Sequence, residues 1–310
     1  MSGSQAAILS SFWKEGTFAN KVVFCTGGSG SICSGQVRAL VALGANACIV
    51  GRNRQKASQM ASDISSVRPG SKVLGIGDVD VRSFATVKAA VDRCVKELGS
   101  IDFVIAGAAG NFLASADHLS VNAFKAVIDI DLIGSWVTVK ATMPHLLESA
   151  RRHRGDGKSA PQGTGGRIIF VSSTNYHNAR VAQAHACAAK AGVNAISDVL
   201  SLEYGPQGVT SNVIAPGAIA GTEGMDRLVA SDSREESRRN VPLQRFGLVK
   251  EIADATVFLF GDTGNFINGI CLDVDGGAWR VKGGGQFGGK LYPESVHPVQ
   301  GLDRRGQHKL

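Results

Sequence analysis

The sequence predicts an α/β protein built on one doubly wound parallel sheet, and three observations predict it. Short apolar runs alternate with longer helical periods from residue 22 to residue 274. Runs of that kind mark strands buried on both faces and joined by crossover helices. The first run leads directly into a glycine-rich turn, Thr26-Gly27-Gly28-Ser29-Gly30-Ser31-Ile32-Cys33, and a helical period follows it. No repeat and no shift of composition marks a second unit, so 1–310 reads as a single domain.

Taken in order, Val22-Val23-Phe24-Cys25 is the first strand and 32–43 the first helix. Ala47-Cys48-Ile49-Val50 is the second strand, with a helix over 55–67 and a strand over 72–76. Residues 83–98 read as a helix, 103–106 as a strand and 121–148 as one long helix. A strand at 167–171, a helix at 182–204 and a strand at 209–214 come next. The pattern closes with a helix over 250–260 and a last strand over 269–274. Two segments stand apart. Residues 149–166 are polar, basic and glycine-rich and predict an inserted surface loop, and 283–310 predict a polar tail.

Composition narrows the classes of function. The chain is 44% hydrophobic and 19% charged, a balance of globular rather than disordered proteins. No apolar run reaches the ~20 residues needed to span a bilayer, so membrane insertion is not expected. The start of the chain lacks the basic and apolar pattern of a secretory signal. The six cysteines include no CxxC pair, which predicts buried thiols in a reducing compartment and no metal site. The net charge of +7 is not gathered into one stripe, so it reads as a solvated surface, with an anionic small ligand as the functional alternative and nucleic acid not expected.

The glycine turn carries the first chemistry. Placed after the first strand of a βαβ unit, Gly27, Gly28, Ser29, Gly30, Ser31 and Ile32 predict a pyrophosphate cradle at a helix N-terminus, the mark of a Rossmann fold. The second strand ends in Gly51-Arg52-Asn53, where an acidic residue would hold the ribose hydroxyls of NAD. Arg52, with Arg54 nearby, suits a 2′-phosphate instead and predicts NADPH.

Further motifs in the same order resemble the classical short-chain dehydrogenase/reductase family over residues 18 to 280. Gly107-Ala108-Ala109-Gly110 stands where that family has Asn-Asn-Ala-Gly, and Asp275-Gly276-Gly277 closes the sheet. The last two glycines of the family's turn are here Ser31 and Cys33. The resemblance implies that Asp80 and Val81 meet the adenine, and that Ala108, Pro216, Ile219 and Thr222 line the rest of the cofactor. The catalytic pattern departs from the family's Tyr-x-x-x-Lys. Lys190 is present and Ser173 is correctly spaced, but the tyrosine position is Ala186, which can neither give nor take a proton.

A carboxylate offers a replacement. Phe124, Val127, Ile128 and Asp131 follow helical spacing, which turns Asp131 inward, where the family has an asparagine. A buried Asp131 and a buried Lys190 would compensate one another. With that change the chain resembles the peroxisomal 2,4-dienoyl-CoA reductases, the fungal type most of all. The resemblance is carried by Gly110-Asn111-Phe112, Asp129-Ile130-Asp131, Gly221-Thr222-Glu223-Gly224 and Asp275-Gly276-Gly277-Ala278-Trp279.

That resemblance implies NADPH-dependent reduction of a 2,4-dienoyl-CoA to a 3-enoyl-CoA in the β-oxidation of unsaturated fatty acids. Asp131 and Lys190 would be catalytic, and Lys190 would also hold the cofactor ribose. Arg82, Phe112, Ser120 and Asn122 would contact the acyl-CoA; Tyr176 reads as a loop aromatic, with reach to the thioester oxygen as the alternative. A homo-oligomer built through the long helices is implied as well. The ending His308-Lys309-Leu310 is close to a Ser-Lys-Leu address and implies a peroxisomal import receptor and a peroxisomal location. Two other readings stay open at this point. One is another reductase, either of isolated enoyl thioesters or of a 3-ketoacyl thioester carbonyl by way of His185; the other is a non-catalytic NADP-binding regulator.

Overall fold

A computed structural model describes residues 8–153, 163–228 and 234–281. The strands form where the apolar runs are, because each must bury side chains on both faces of the sheet. They are β1 (Val22–Thr26), β2 (Asn46–Val50), β3 (Val73–Ile76), β4 (Phe103–Ala106), β5 (Arg167–Val171), β6 (Thr210–Pro216) and β7 (Cys271–Val274). All pair in parallel, in the order β3-β2-β1-β4-β5-β6-β7. The order reverses between β1 and β4, so a crevice opens at the carboxyl ends of those two strands.

Strand periodicity divides the core in two. Val23 and Cys25 of β1 and Ile49 of β2 face one side, with helices α1 (Ser31–Ala42), α2 (Arg54–Ser65) and α9 (Val249–Phe260) over them. Val22, Phe24 and Val50 face the other, under α3 (Phe84–Leu98), α5 (Gly134–His153) and α6 (Ala184–Tyr204). Asn53, Ser83 and Ser120 accept backbone N–H bonds as caps at the starts of α2, α3 and α4 (Val121–Val127). Helix α1 is entered through Gly30 with no side-chain cap, so its first N–H groups are left for an anion.

The doubly wound parallel sheet read from the sequence is borne out, and four of its details differ. The long helix over 121–148 is interrupted: α4 gives way to a π-turn at Ile128–Ile133 before α5 begins. The predicted loop over 149–166 starts too early, because α5 runs on to His153. The reason is Asp102, a buried carboxylate that accepts bonds from Ser149 and Arg152 and holds the last turn of α5. Residues 154–162 of that segment, and the tail with His308-Lys309-Leu310, lie outside the described residues. Helix α6 starts two residues later than read, after Ala182 takes a left-handed φ of 62°. Two short helices, α7 (Glu223–Leu228) and α8 (Arg234–Arg239), were not read at all, being short and largely polar. Among the described residues no helix is long and apolar enough to cross a membrane.

Candidate active site

The crevice holds a cleft of about 650 Å³ lined by the glycine turn, the ends of β2 and β4, and Val79, Asp80, Val81 and Ile130. The glycines there do three different things. Gly27 has a φ of +67°, and a Cβ on it would stand 2.8 Å from the Gly107 carbonyl and the Ala108 Cα. Gly28 does not line the cleft; a Cβ there would be 2.6 Å from the Ile49 Cβ, so it serves the packing of α1 on β2. Gly30 faces open space apart from the Gly27 carbonyl, which leaves room for a phosphate. Ser29, Arg52, Asp80, Val81 and Ala108 line the same cleft.

Ser31 heads α1 and its hydroxyl accepts from the Glu223 N–H at 3.4 Å, tying α7 to the turn. Ile32 packs against the core. Pro216 ends β6. Ile219 is buried and packs in the core, and Thr222 is spent internally, donating to the Ile219 carbonyl at 2.8 Å and accepting from the Met225 N–H. These last two shape the loop after β6 through their side chains, leaving only backbone for a ligand.

The exchange of the turn's last glycine for Cys33 has a partner. A Cβ on Gly107 would sit 2.2 Å from the Cys33 sulfur, so the residue that is Asn in the wider family is glycine here. Gly107→Ala is expected to destabilise the fold by about 1–3 kcal/mol, and Cys33→Ala in the same chain to restore most of it. Thermal unfolding of the two singles and the double decides; strictly additive effects would refute the coupling.

Asp131 and Lys190 meet. Asp131 is 1% exposed and Lys190 9%. The carboxylate accepts the Gly110 N–H at 2.7 Å through Oδ1 and the Lys190 ammonium at 3.1 Å through Oδ2. Lys190 also donates to the Val171 carbonyl at 3.1 Å, so β5, α6, the π-turn and the loop after β4 converge on one ion pair. Ala186, at the tyrosine position, is buried and apolar. Ser173 caps the turn Thr174–Tyr176, its hydroxyl accepting from the Asn175 N–H at 3.1 Å. Tyr176 is not part of the site: its hydroxyl reaches Asp273 of β7 at 3.4 Å, and burial pushes its pKa up.

The four residues assigned to the acyl-CoA are placed as follows. Arg82 pairs with Asp80 at 2.5 Å, and the guanidinium holds the Asp80 carboxyl down at about 2. Ser120 caps α4 with its hydroxyl, and Asn122 is exposed in the first turn of that helix. Phe112 is partly exposed and lies against His185, with ring centroids 4.3 Å apart.

Two features went unread. Gln183 accepts from both Asn111 (3.0 Å) and Asn175 (2.9 Å), linking the loop after β4 to the start of α6. His185 is fully buried, and neither of its ring nitrogens has a hydrogen-bond partner among the described residues. The only sequence signal for both was the appearance of polar residues among the alanines that open α6. Among the described residues no cluster of His, Cys, Asp or Glu is arranged to hold a metal.

Fold and site together define a dinucleotide-dependent reductase in which the phenol's position is Ala186 and a buried Asp131–Lys190 pair is present. The chain belongs to the short-chain dehydrogenase/reductase family, and the family model described as Enoyl-(Acyl carrier protein) reductase matches residues 27–278. It is 44% identical over 285 residues to the peroxisomal 2,4-dienoyl-CoA reductase, (3E)-enoyl-CoA-producing, of Saccharomyces cerevisiae, covering 92% of each chain. It is 37% identical to the protein of the same name in Mus musculus, covering 84% of this chain and 85% of that one. Among solved structures, a short chain dehydrogenase from Bacillus anthracis is 32% identical with a TM-score of 0.71, over 84% of this chain and 96% of that one.

Proposed function

We infer that this protein is an NADPH-dependent 2,4-dienoyl-CoA reductase that forms a 3-enoyl-CoA, and that it works in the peroxisome on unsaturated fatty acids under β-oxidation. The carrying observation is the buried Asp131–Lys190 pair beside Ala186. The names of the yeast and mouse relatives agree with it.

The residues fit a phosphorylated dinucleotide. Gly30 leaves the phosphate side of the cleft open, the uncapped start of α1 points N–H groups there, and Arg52 stands on the rim past β2, where a 2′-phosphate would lie. Bound there, NADPH supplies the hydride for the δ carbon of the dienoyl thioester. The remaining work falls to the protein. Negative charge moves through the conjugated system to the thioester oxygen, and the dienolate must then be protonated at the α carbon. Asp131 has lone pairs left beyond Gly110 and Lys190, and it orients the protonating water. Lys190 pairs with that carboxylate and fixes its direction, and holds the ribose. No alkoxide forms on the substrate, so the chemistry has no use for a phenol at carbonyl distance.

Arg82, Phe112, Ser120 and Asn122 are assigned to the acyl-CoA on the same reading. The exposed Ile133, at the end of the π-turn, and Trp136, in the first turn of α5, support a homo-oligomer packed through its long helices. The terminal His308-Lys309-Leu310 is assigned to an import receptor.

The test is turnover of purified protein with NADPH or NADH against a 2,4-dienoyl-CoA and a 3-ketoacyl-CoA. NADPH consumption with the dienoyl thioester is expected to be at least ~10²-fold faster than with the ketone, with a 3-enoyl product by mass and NMR. Faster reduction of the ketone, or NADPH binding with no turnover of either, would sink this reading.

A further inference from the structure

We propose that His185 is the hydrogen-bond donor to the thioester oxygen of the substrate, taking over the place left by the phenol missing at Ala186. The proposal rests on the dienoyl-CoA reading above.

The starting observation is a buried imidazole whose polar surroundings, among the described residues, are only the backbone of Phe112 and the charge of Asp131. His185 is 0% exposed, yet neither Nδ1 nor Nε2 meets a hydrogen-bond partner among the described residues. Buried polar groups are ordinarily paired, so a poorly satisfied one beside the Asp131 carboxylate points to a ligand. Its ring lies against Phe112, two residues beyond the Gly110 whose N–H binds Asp131. His185 is also the residue directly before Ala186 on α6. It therefore stands between the face assigned to the acyl chain and the position from which the wider family polarises a carbonyl.

Elimination among the neighbours leads the same way. Hydride delivery to the δ carbon places negative charge on the thioester oxygen, and an N–H or O–H must meet it. Lys190 is engaged by Asp131 and the Val171 carbonyl. Ser173 caps a turn, and the Tyr176 hydroxyl is turned to Asp273. Ala186 has nothing to donate. A neutral imidazole carries one N–H donor and one acceptor. Burial favours that neutral form, against the opposing pull of the Asp131 charge and of the Phe112 backbone. A neutral donor polarises the oxygen without giving up its proton, which suits a reaction in which the proton must go to carbon. No bond to His185 forms or breaks.

The test reads the oxygen directly. A 2,4-dienoyl-CoA labelled with ¹³C at its thioester carbonyl is bound to the full-length protein with NADP⁺, so that no hydride can move, and its infrared carbonyl band is recorded. In the unaltered protein the band is expected well below its position in water. In His185→Phe, which keeps an aromatic against Phe112, that shift is expected to vanish. Single-turnover reduction with NADPH should then fall by ~10²-fold, with NADPH affinity unchanged. In His185→Gln, which retains an N–H, most of the shift should return. An unshifted band in the unaltered protein overturns the proposal before any variant is made, and so does a shift that survives in His185→Phe. If the unaltered protein fails to oxidise NADPH with the dienoyl thioester at all, the assignment of the reaction falls. If it turns over and the band is unshifted, only the donor falls.

Discussion

Asp131→Ala is expected to lower kcat by about 10²–10⁴-fold while leaving the binding of NADPH in place. On the proposed mechanism the carboxylate orients the protonating water. The same change also strands Lys190, which would keep only the Val171 carbonyl at 3.1 Å. Removing one partner of a buried ion pair costs about 3–5 kcal/mol, so thermal unfolding should shift downward together with activity. Asp131→Asn separates the two effects. The amide oxygen can still accept the Gly110 N–H, and the residue type becomes that of the wider family, but the negative charge is lost. Asp131→Asn combined with Lys190→Met removes both charges and should recover stability without recovering turnover. Steady-state kinetics and unfolding of the three variants check this. Wild-type turnover by Asp131→Ala would refute the role given to the carboxylate.

A loss of stability of the same size is expected at the opposite end of the sheet. Asp102 precedes β4 and its side chain is 3% exposed. It accepts from the Val22 N–H and the Ser100 hydroxyl, both at 2.9 Å, from the Ser149 hydroxyl at 2.5 Å, and from Arg152 at 3.2 Å. One carboxylate thus ties the first strand to the last turn of α5. Asp102→Ala orphans these donors together and should destabilise by about 3–5 kcal/mol. Asp102→Asn, which keeps an acceptor oxygen, should cost less. Since the cluster sits at the amino ends of the strands and the cleft at their carboxyl ends, kcat of the folded fraction should not change. An unchanged unfolding midpoint for Asp102→Ala would contradict this account.

The sheet was legible because buried parallel strands need continuous apolar runs, and runs such as Val22-Val23-Phe24-Cys25 have no other simple reading. Asp131 was legible for a related reason: helical spacing from Phe124 shows which way a side chain points, and the structure buries it as that spacing requires. The π-turn around it was not legible, since spacing records side chains and the change lies in backbone bonding. Nor was the fit of Cys33 into the space left by Gly107, which exists only once α1 and the end of β4 are brought together. The end of α5 was misread because Ser149 and Arg152 look like surface residues until Asp102 is placed beneath them. The isolation of His185 was hidden in the same way, because a missing partner is a property of the assembled site.

The π-turn at Ile128–Ile133 bears on how this site can change. An ordinary helical turn holds no surplus residue, so losing one swings everything beyond it by about 100°. A π-turn holds one residue more than its neighbours, so here the chain can shorten by one and close into regular helix. Such a deletion would spare α5 and re-aim only the carboxylate of Asp131 relative to α4. Chain length at this turn, as much as the identity of the side chain, therefore sets whether a carboxylate meets Lys190, and an insertion or deletion there is a route by which reductases on this scaffold can gain or lose such a pair.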